Sequence, residues 1–523
     1  MAEGSPHSRR STWIWLGIFV LLAFGLRFAF SIGSGFDEGT GRYLFTGNDP
    51  YYHYHTLEQI LDTGKHVTFD PAINYPGGNY NPNPPIYVWS AAPLAAALQA
   101  GGASDPIGLA LNIMVAVWGA LTVIPVYLLG RDLWSRRAGL WAAFLLAVSA
   151  PHIERTIAGY ADHDAPTMFF ITLAFAFMVK ALLGIQQRTY VARWSQAAGR
   201  SAGLKAAWTE NRRPILWSAM AGLALTATAL TWKGYPYALA IMAIAAGLQL
   251  IIEHLRRRDA TPVFLVYLVP MVLVTFLPWL LYYRSFPTFQ DTTVVPSMYV
   301  LLGVVVAGLL FVPTRNLPSV LVIPAAALLA IIGALVLKFL VPDVWGAITT
   351  GLGYFRTSKL YSTIAEAQRP EIGSVAGRFG FFTFLLVFWG IGLTVRGAFR
   401  GQPAMTLVLV WALVALFMAF RASRFIMNAA PVFVLLIGAT IVTVLGYAGW
   451  DELARRLRNR RGQGAGAYAG ALTWRSVLGT LAVLLLLVLP TVWAGFDAAT
   501  TRDFERENGL DNRWFGAFGI GYE

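Results

Sequence analysis

The sequence predicts an all-α integral membrane protein with about thirteen transmembrane helices and long outer loops. Of its 523 residues, 56% are hydrophobic and only 13% are charged, and apolar runs near the length of a bilayer-crossing helix recur along the chain. The formal charge of +13 falls mostly in short loops between these runs, where basic side chains set membrane orientation. The basic composition therefore reflects topology, and we expect no nucleic-acid partner.

The first span is Thr12 to Ile32, which follows the basic segment MAEGSPHSRR. This run is too long for the core of a signal peptide and has no clear small-residue cleavage site. Placing Arg9 and Arg10 in the cytoplasm directs the span outward. The next segment, about 33–106, is then a long outer loop in which acidic residues outnumber basic ones.

The later spans alternate with loops whose charges agree with this orientation. The loop after the second span contains Arg131, Arg136 and Arg137, and it is cytoplasmic by the positive-inside rule. A short apolar piece at 86–98 could be a re-entrant or interfacial helix. The other predicted spans are 107–129, 138–150, 165–180, 215–230, 237–252, 263–281, 295–312, 320–341, 379–395, 405–420, 425–447 and 477–495.

These spans form one membrane domain over residues 1–497, with outer loops at about 33–106 and 342–378. Residues 498–523 form a short outside tail, too short for a core of its own, where a soluble domain would be expected to start. The chain has no cysteine, so any metal must be held by oxygen or imidazole. We expect a multi-pass protein of the cell membrane with a cytoplasmic N terminus.

Three acidic stretches lie on the outer face in this topology, namely GNDPYYHYH, GYADHD and KLYSTIAEAQRPE. They share one aqueous boundary, and a helical bundle can bring them together. Their acids include Asp49, Asp162, Asp164 and Glu366. Converging carboxylates with few lysines nearby favour a hard divalent cation, so we expect Mg²⁺ or Mn²⁺. Arg424, at the start of a later span on the same face, suits the phosphate of a lipid-linked substrate.

Each of these residues also has a plain structural interpretation. Asp49 directly precedes a proline and Asp164 shortly precedes another, so both could be N-caps of the helices that follow. Glu366 could be an ordinary loop acid, and Arg424 a side chain that extends to the membrane interface. Asp162 is harder to explain in this way, because capping by Asp164 leaves it without a role.

Histidines are concentrated on the outer side, where five of the seven fall in this topology. That distribution would suit a zinc site. The HYH sequence, however, places His53 and His55 on opposite sides of a helix. The ligand spacing of a zinc site is therefore not met.

The motifs GNDPYYH, ERTIAGYADHD, STIAEAQ and RASRFIMNAAP, in this order and on one face, resemble the catalytic subunit of oligosaccharyltransferase. This family of GT-C membrane enzymes N-glycosylates proteins in archaea, eukaryotes and some bacteria. The resemblance covers roughly Thr12 to Gly495 and implies a GT-C type bundle. For an archaeal-type member it implies metal-dependent, inverting transfer of an oligosaccharide from a dolichyl phosphate or diphosphate to Asn of N-x-Ser/Thr. The expected partners are this lipid-linked donor, an acceptor polypeptide and the membrane.

The resemblance assigns the acids around the cation. Asp49 matches the last acid of the family's first D-x-D motif, whose first position is Gly47 here. The second D-x-D motif matches Asp162 and Asp164, with His163 between them. By this match the metal ligands are Asp49, Asp162 and Asp164.

The resemblance also assigns residues to the acceptor amide and the donor phosphate. Thr363 through Glu366 match a T-I-x-E motif, so Glu366 joins Asp49 as a catalytic carboxylate that accepts hydrogens of the acceptor amide. Arg424 matches the R-F pair that contacts the donor diphosphate, and Arg155 matches an arginine shortly before the second acidic motif. Both arginines are therefore predicted to bind the donor phosphate.

One departure concerns a W-W-D-Y-G motif, which family members carry in an extracytoplasmic C-terminal domain that reads the sequon. The chain has no such motif, so we expect a truncated or split protein, or a paralogue with altered acceptor reading.

Two other functions stay open beside a catalytically dead scaffold. Another GT-C enzyme, such as a protein O-mannosyltransferase, would not need the T-I-x-E loop. A transporter would place its acids within spans rather than at span ends.

Overall fold

The computed structural model describes residues 6–33, 35–285, 293–353, 367–459 and 472–500. Most of the described chain is helical, because a helix satisfies its backbone hydrogen bonds within one segment, as the bilayer interior requires. The strands of the described residues form two short antiparallel hairpins in the loop at 33–106. They are β1 (Phe36–Asp37) with β2 (Arg42–Tyr43), and β3 (Phe69–Asp70) with β4 (Asn79–Tyr80).

The helices of the first half are α1 (Pro6–Phe28), α2 (Asp49–Thr63), α3 (Ile86–Ala100), α4 (Pro106–Leu121), α5 (Val123–Leu133), α6 (Arg136–Ala147), α7 (Ala150–Ile153), α8 (Asp164–Leu183), α9 (Ala197–Glu210), α10 (Arg212–Ala229), α11 (Pro236–Leu255) and α12 (Thr261–Leu281). Those of the second half are α13 (Val295–Phe311), α14 (Ser319–Leu340), α15 (Pro342–Gly353), α16 (Ile372–Phe379), α17 (Phe381–Phe399), α18 (Pro403–Ala419), α19 (Ile426–Tyr447), α20 (Trp450–Asn459), α21 (Trp474–Ala482) and α22 (Leu489–Ala499). A π-helical segment, Val483–Val488, joins α21 to α22, and a 3-10 turn, Ser423–Phe425, precedes α19.

Helix starts follow local capping chemistry. The Asp105 side chain accepts a 2.9 Å hydrogen bond from Gly108 N at the start of α4, where Pro106 occupies the first helical position. Ser135 caps α6 in the same way through Ala138 N. Such caps satisfy main-chain donors that have no partner within the helix.

Each of the thirteen predicted spans falls on helical structure, although 107–129 and 477–495 each run over more than one helix. Among the described residues, nine helical segments are long and apolar enough to cross a membrane. The spans at α6, α10, α13 and α18 fall outside this set, and α13 and α18 are apolar but only 17 residues long. The structure thus confirms an all-α, multi-pass membrane protein. The nine segments are Ser11–Phe28, Pro106–Leu133, Asp164–Leu183, Pro236–Leu255, Thr261–Leu281, Ser319–Leu340, Phe381–Phe399, Ser423–Tyr447 and Trp474–Ala499.

The core of the bundle packs α8 against α10, α10 against α12, and α6 against both α5 and α19. Gly438 of α19 lies close to α6, since a Cβ at this position would come within 2.8 Å of Ala142 N and 2.9 Å of Ala138 O. Small residues allow such close backbone approach between membrane helices. This close approach holds α19 along α6, and α19 also contacts the α7 segment that follows α6.

The two long loops that were predicted to be outer loops contain regular structure that the span prediction left unspecified. The loop at 33–106 contains both hairpins, α2 and α3, and α3 packs on α4. Helix α3 has 15 residues, a length that does not distinguish a re-entrant from an interfacial helix. Its placement in the membrane therefore stays a prediction. In the loop at 342–378, α15 and most of α16 are described, whereas residues 354–366 lie outside the described residues. The same holds for 501–523, most of the predicted outside tail.

Candidate active site

Two acid-bearing segments are joined through their main chains. Thr46 N donates a 2.8 Å hydrogen bond to Gly159 O, and Gly159 N donates to Asn112 Oδ1 at 2.6 Å. Gly159 has a φ of +95°, a left-handed conformation that residues with a Cβ rarely adopt. This arrangement fixes the chain before Asp49 against the chain before Asp162.

A buried arginine of α1 also holds the segment that leads to Asp162. Arg27 donates to Thr156 Oγ1 at 2.8 Å and to Ala147 O at 3.1 Å. Its own carbonyl accepts a 2.8 Å hydrogen bond from Ala158 N. Ionisable side chains inside a membrane domain need such partners. These bonds fix the connection between α7 and α8, which leads to Asp162.

Asp162 is the centre of a buried cluster. His53 Nε2 lies 3.0 Å from Asp162 Oδ1, and His163 Nδ1 lies 2.5 Å from the same oxygen. His163 N also donates to this oxygen at 2.6 Å. The ligand atoms of these three residues lie within 4.8 Å of one another, so the group could hold a metal ion.

The electrostatics of the cluster keep Asp162 ionised. Burial by itself raises the pKa of Asp162, but the charge and hydrogen bonds of His163, together with those of His53, outweigh it and hold the pKa well below its usual value. Burial lowers the pKa of His163, and the Asp162 carboxylate reverses this and raises the pKa. A charged carboxylate is therefore maintained beside two imidazoles.

Asp164 faces an arginine instead. It is the first residue of α8, is 5% exposed, and its Oδ1 lies 3.9 Å from Arg424 Nη2. Its other oxygen is buried and has no hydrogen-bond partner among the described residues. The N-cap interpretation of Asp49 and Asp164 is wrong for the described structure, because the caps of α2 and α8 are Asn48 and His163.

Next to Arg424 is a cavity of about 250 Å³ whose lining includes three guanidinium groups, those of Arg155, Arg378 and Arg424. Arg155 donates to the Tyr160 hydroxyl and lies 4.8 Å from the centre of that ring. Arg378 donates to Glu154 Oε2 at 2.7 Å. With one carboxylate against three guanidiniums, the lining is suited to an anion such as phosphate.

The structure brings some of the predicted site residues together and does not describe others. It brings together Asp162, His163, Asp164 and Arg424, and Arg155 shares a cavity with Arg424. Asp49 is exposed at the start of α2. Thr363 and Glu366 lie outside the described residues, so their predicted roles stay predictions.

The possible metal group also differs from the predicted ligand set. The set predicted by resemblance, Asp49, Asp162 and Asp164, shares only Asp162 with the group of His53, Asp162 and His163. His55, as the helix geometry predicted, turns away from His53 and pairs with Asp70, with 2.7 Å between Nε2 and Oδ2.

Two residues near the site were missed from the sequence. His53 was considered only as a zinc ligand, and its contact with Asp162 was not predicted. Lys233 also lies near the site: burial lowers the pKa of this lysine, Asp49 opposes that shift and Arg424 reinforces it. The available signal for Lys233 was a lone lysine between two apolar runs, just after the C-terminal end of α10.

Known proteins match both the sequence and the fold. A family model described as Oligosaccharyl transferase STT3, N-terminal, matches residues 18–448. The chain belongs to the STT3 family. Members of similar sequence include the Haloferax volcanii dolichyl-monophosphooligosaccharide–protein glycotransferase AglB, 29% identical over 223 residues, which are 42% of this chain and 20% of that protein. The Pyrococcus horikoshii dolichyl-phosphooligosaccharide-protein glycotransferase 1 is 23% identical over 409 residues, covering 72% of this chain and 36% of that protein.

The fold agrees with the STT3 assignment. The archaeal oligosaccharyltransferase AglB from Archaeoglobus fulgidus, solved with an inhibitory peptide and a dolichol-phosphate, superposes with a TM-score of 0.77 at 20% identity, covering 99% of this chain and 60% of that one. The predicted GT-C type helical bundle is thus confirmed. The chain spans less than two thirds of the length of each of these relatives. Membership in the STT3 family disfavours the O-mannosyltransferase and transporter alternatives.

Proposed function

We propose that this STT3-family chain transfers an oligosaccharide from a dolichyl phosphate or diphosphate carrier to the side-chain amide of Asn in N-x-Ser/Thr. The observation that carries the proposal is the position of the buried acids Asp162 and Asp164 beside a cavity lined by arginines. Carboxylates suit a divalent cation and guanidiniums suit phosphate. Structures of the Archaeoglobus fulgidus enzyme with dolichol-phosphate and with an acceptor peptide containing the NVT sequon support this choice of substrates.

The donor phosphate is held by Arg424, with Arg155 as a second contact. A guanidinium can donate two parallel hydrogen bonds to a phosphate, which fixes its orientation as well as its position. The turn that carries Arg424 is anchored to the late outer loop, because Ser423 N donates to Gln368 O at 3.0 Å.

The acceptor amide is a weak nucleophile because its nitrogen lone pair is delocalised into the carbonyl. Asp49 and Glu366 accept the two amide hydrogens, which orients the nitrogen and weakens that delocalisation. The nitrogen forms a bond to the anomeric carbon as the carbon–oxygen bond to the phosphate breaks, and the bonding electrons leave with the phosphate oxygen. One amide proton is lost to a carboxylate. A one-step displacement of this kind inverts the anomeric centre.

The acids near the cavity fit a divalent cation, Mg²⁺ or Mn²⁺. Asp164 has a buried oxygen to which none of the described residues donates a hydrogen bond, and such an atom is costly to bury unless something binds it. The proposed ligands are Asp49, Asp162 and Asp164. When bound, the cation would neutralise charge on the leaving phosphate.

The site belongs on the extracytoplasmic face, with the N terminus of the chain in the cytoplasm. Arg136 and Arg137 are at the start of α6 and the α7 segment follows its other end, so the basic loop and the acidic site lie at opposite ends of one helix. The positive-inside rule assigns the basic end to the cytoplasm.

The test is transfer of a lipid-linked oligosaccharide to a fluorescent N-x-Thr peptide by the membrane-reconstituted chain with Mn²⁺. We expect a glycopeptide with the wild type and none with Asp162→Ala or Glu366→Ala. A peptide with Gln in place of the acceptor Asn controls for the attachment site, and His55→Gln controls for substitution in the outer loop. Product formation by either alanine variant at the wild-type rate would contradict the assignment of that residue.

A further inference from the structure

His53 is one turn beyond Asp49 on α2 and is completely buried. Its Nε2 lies 3.0 Å from Asp162 Oδ1, and its ring packs edge-on against Tyr87, with 4.9 Å between ring centroids. Tyr87 is itself fully buried in α3. The imidazole is therefore fixed in one orientation by packing, and only one of its nitrogens meets a carboxylate.

The hydrogen bonds of His53 define its tautomer. Its Nδ1 is buried and has no hydrogen-bond partner in the part of the chain that the structure describes. Because a carboxylate only accepts, Nε2 must carry the proton that is donated to Asp162. Among the described residues, Nε2 is thus the ring nitrogen that holds the Asp162 carboxylate.

The two oxygens of Asp162 have different surroundings. Oδ1 accepts from His53 Nε2 and from His163 N, and His163 Nδ1 lies beside it. No described residue donates to Oδ2, as all the hydrogen bonds and ion pairs of Asp162 in the described part of the chain involve Oδ1. One oxygen thus holds the side chain in place, and the other is left for a ligand.

We propose that His53 is a positioning residue that holds Asp162 through Oδ1 and thereby presents Oδ2 to the divalent cation. The inference rests on the proposed function, in which Asp162 is a metal ligand. Groups that hydrogen-bond to a metal ligand fix its orientation, and removing one typically lowers metal affinity by about 10- to 100-fold. His53 acts through Asp162 and does not need to touch the substrate.

The neighbouring His55 provides a matched control. It is on the same helix, two residues on, but its Nε2 pairs with Asp70 Oδ2 at 2.7 Å. Asp70 also accepts from Gln59 Nε2 at 2.7 Å. His55 is thus a histidine paired with an aspartate in the same loop, but away from Asp162. Its substitution shows the effect of losing such a pair when the proposed metal site is not involved.

The experiment compares His53→Gln with His53→Met in the full chain. The two side chains have similar size, but only Gln can donate a hydrogen bond to Asp162. Mn²⁺ binding is measured by electron paramagnetic resonance in detergent, and melting curves confirm folding. We expect about tenfold weaker Mn²⁺ binding for His53→Met, nearly wild-type binding for His53→Gln, and no change for His55→Gln.

Transfer kinetics provide a second readout. The Mn²⁺ concentration for half-maximal activity should rise in His53→Met, while kcat at saturating Mn²⁺ stays within about threefold of wild type. Equal Mn²⁺ affinity in His53→Gln and His53→Met would overturn the inference, whether that affinity is high or low. Failure of the wild type to bind Mn²⁺ or to form glycopeptide would instead contradict the proposed function.

Discussion

Arg378 donates from Nη1 to Glu154 Oε2 at 2.7 Å, and this ion pair joins α16 to the residue before Arg155. Both side chains are partly buried, at 24% and 30% exposure. A pair of this kind couples its partners by about 1 kcal/mol at most. We expect a double-mutant cycle of Arg378→Gln and Glu154→Gln, measured by unfolding in detergent, to show coupling near this value and to lose it at high salt. Purely additive effects would show that the pair does not link the two segments.

Arg424 should matter more to the reaction than to folding. We expect Arg424→Gln to lower kcat/KM for the lipid-linked donor by at least about tenfold, because it removes a charge-assisted contact to the leaving phosphate. The matched control is Arg137→Gln. Arg137 pairs with Asp451 at 2.6 Å. It lies at the start of α6, whereas the candidate site follows the end of that helix, so the loss of Arg137 should leave donor kinetics unchanged. Equal effects of the two substitutions would contradict a phosphate contact.

Gly159→Ala should destabilise the site because the added Cβ opposes a φ of +95°. The strain of such a conformation is about 1–2 kcal/mol. We expect a lower melting temperature and, since Gly159 accepts from Thr46 N, a lower transfer rate. Gly392→Ala in α17 is the control, as a Cβ there meets no atom within 4 Å and alanine favours a helix. The prediction is wrong if both variants melt alike.

Acid should destabilise the loop at 33–106 through His66. Burial lowers the pKa of His66 from 6.5 to about 4, so between these values the unfolded chain binds a proton that the folded chain does not. Folding free energy is then lost as the pH falls through this window, by about 1 kcal/mol per pH unit. His66→Phe keeps a ring beside Tyr282 and should flatten the pH dependence of the melting temperature between pH 6.5 and 4. If the melting temperatures of wild type and variant depend on pH in the same way, His66 is not the cause of the acid sensitivity.

Removal of divalent ions should stop transfer. With a chelator in excess we expect glycopeptide formation to fall to background, because the buried carboxylates then repel the donor phosphate. Adding Mn²⁺ back should restore the rate. Asp164→Asn should need more Mn²⁺ for half-maximal activity than wild type. Full activity in chelator would remove the cation from the mechanism.

Much of the fold could be predicted from the sequence because each span is a nearly continuous apolar run. Such a run can satisfy its backbone only as a helix within the bilayer. The loops were harder: α2 is more polar than the spans, and its boundaries depend on contacts with α3 and α4 rather than on hydropathy. The hairpins are only two residues per strand, below what an alternating pattern can reveal.

The candidate site was partly predictable for a related reason. Asp162, His163 and Asp164 are adjacent in the sequence, and their position at a span end identified them. His53 and His55 were correctly assigned to opposite helix sides, since that follows from helical geometry. Which of the two meets Asp162 depends on how α2 packs, and a single sequence does not specify that.

The main-chain hydrogen bond from Thr46 to Gly159 makes its two ends unequal in mutational tolerance. Every amino acid except proline supplies the amide at position 46, so nearly any codon change there preserves the bond. Position 159 has a left-handed backbone conformation, which glycine adopts far more readily than other amino acids. During divergence, or in a saturation library, variation should therefore accumulate at 46 and be purged at 159, although both positions serve the same bond.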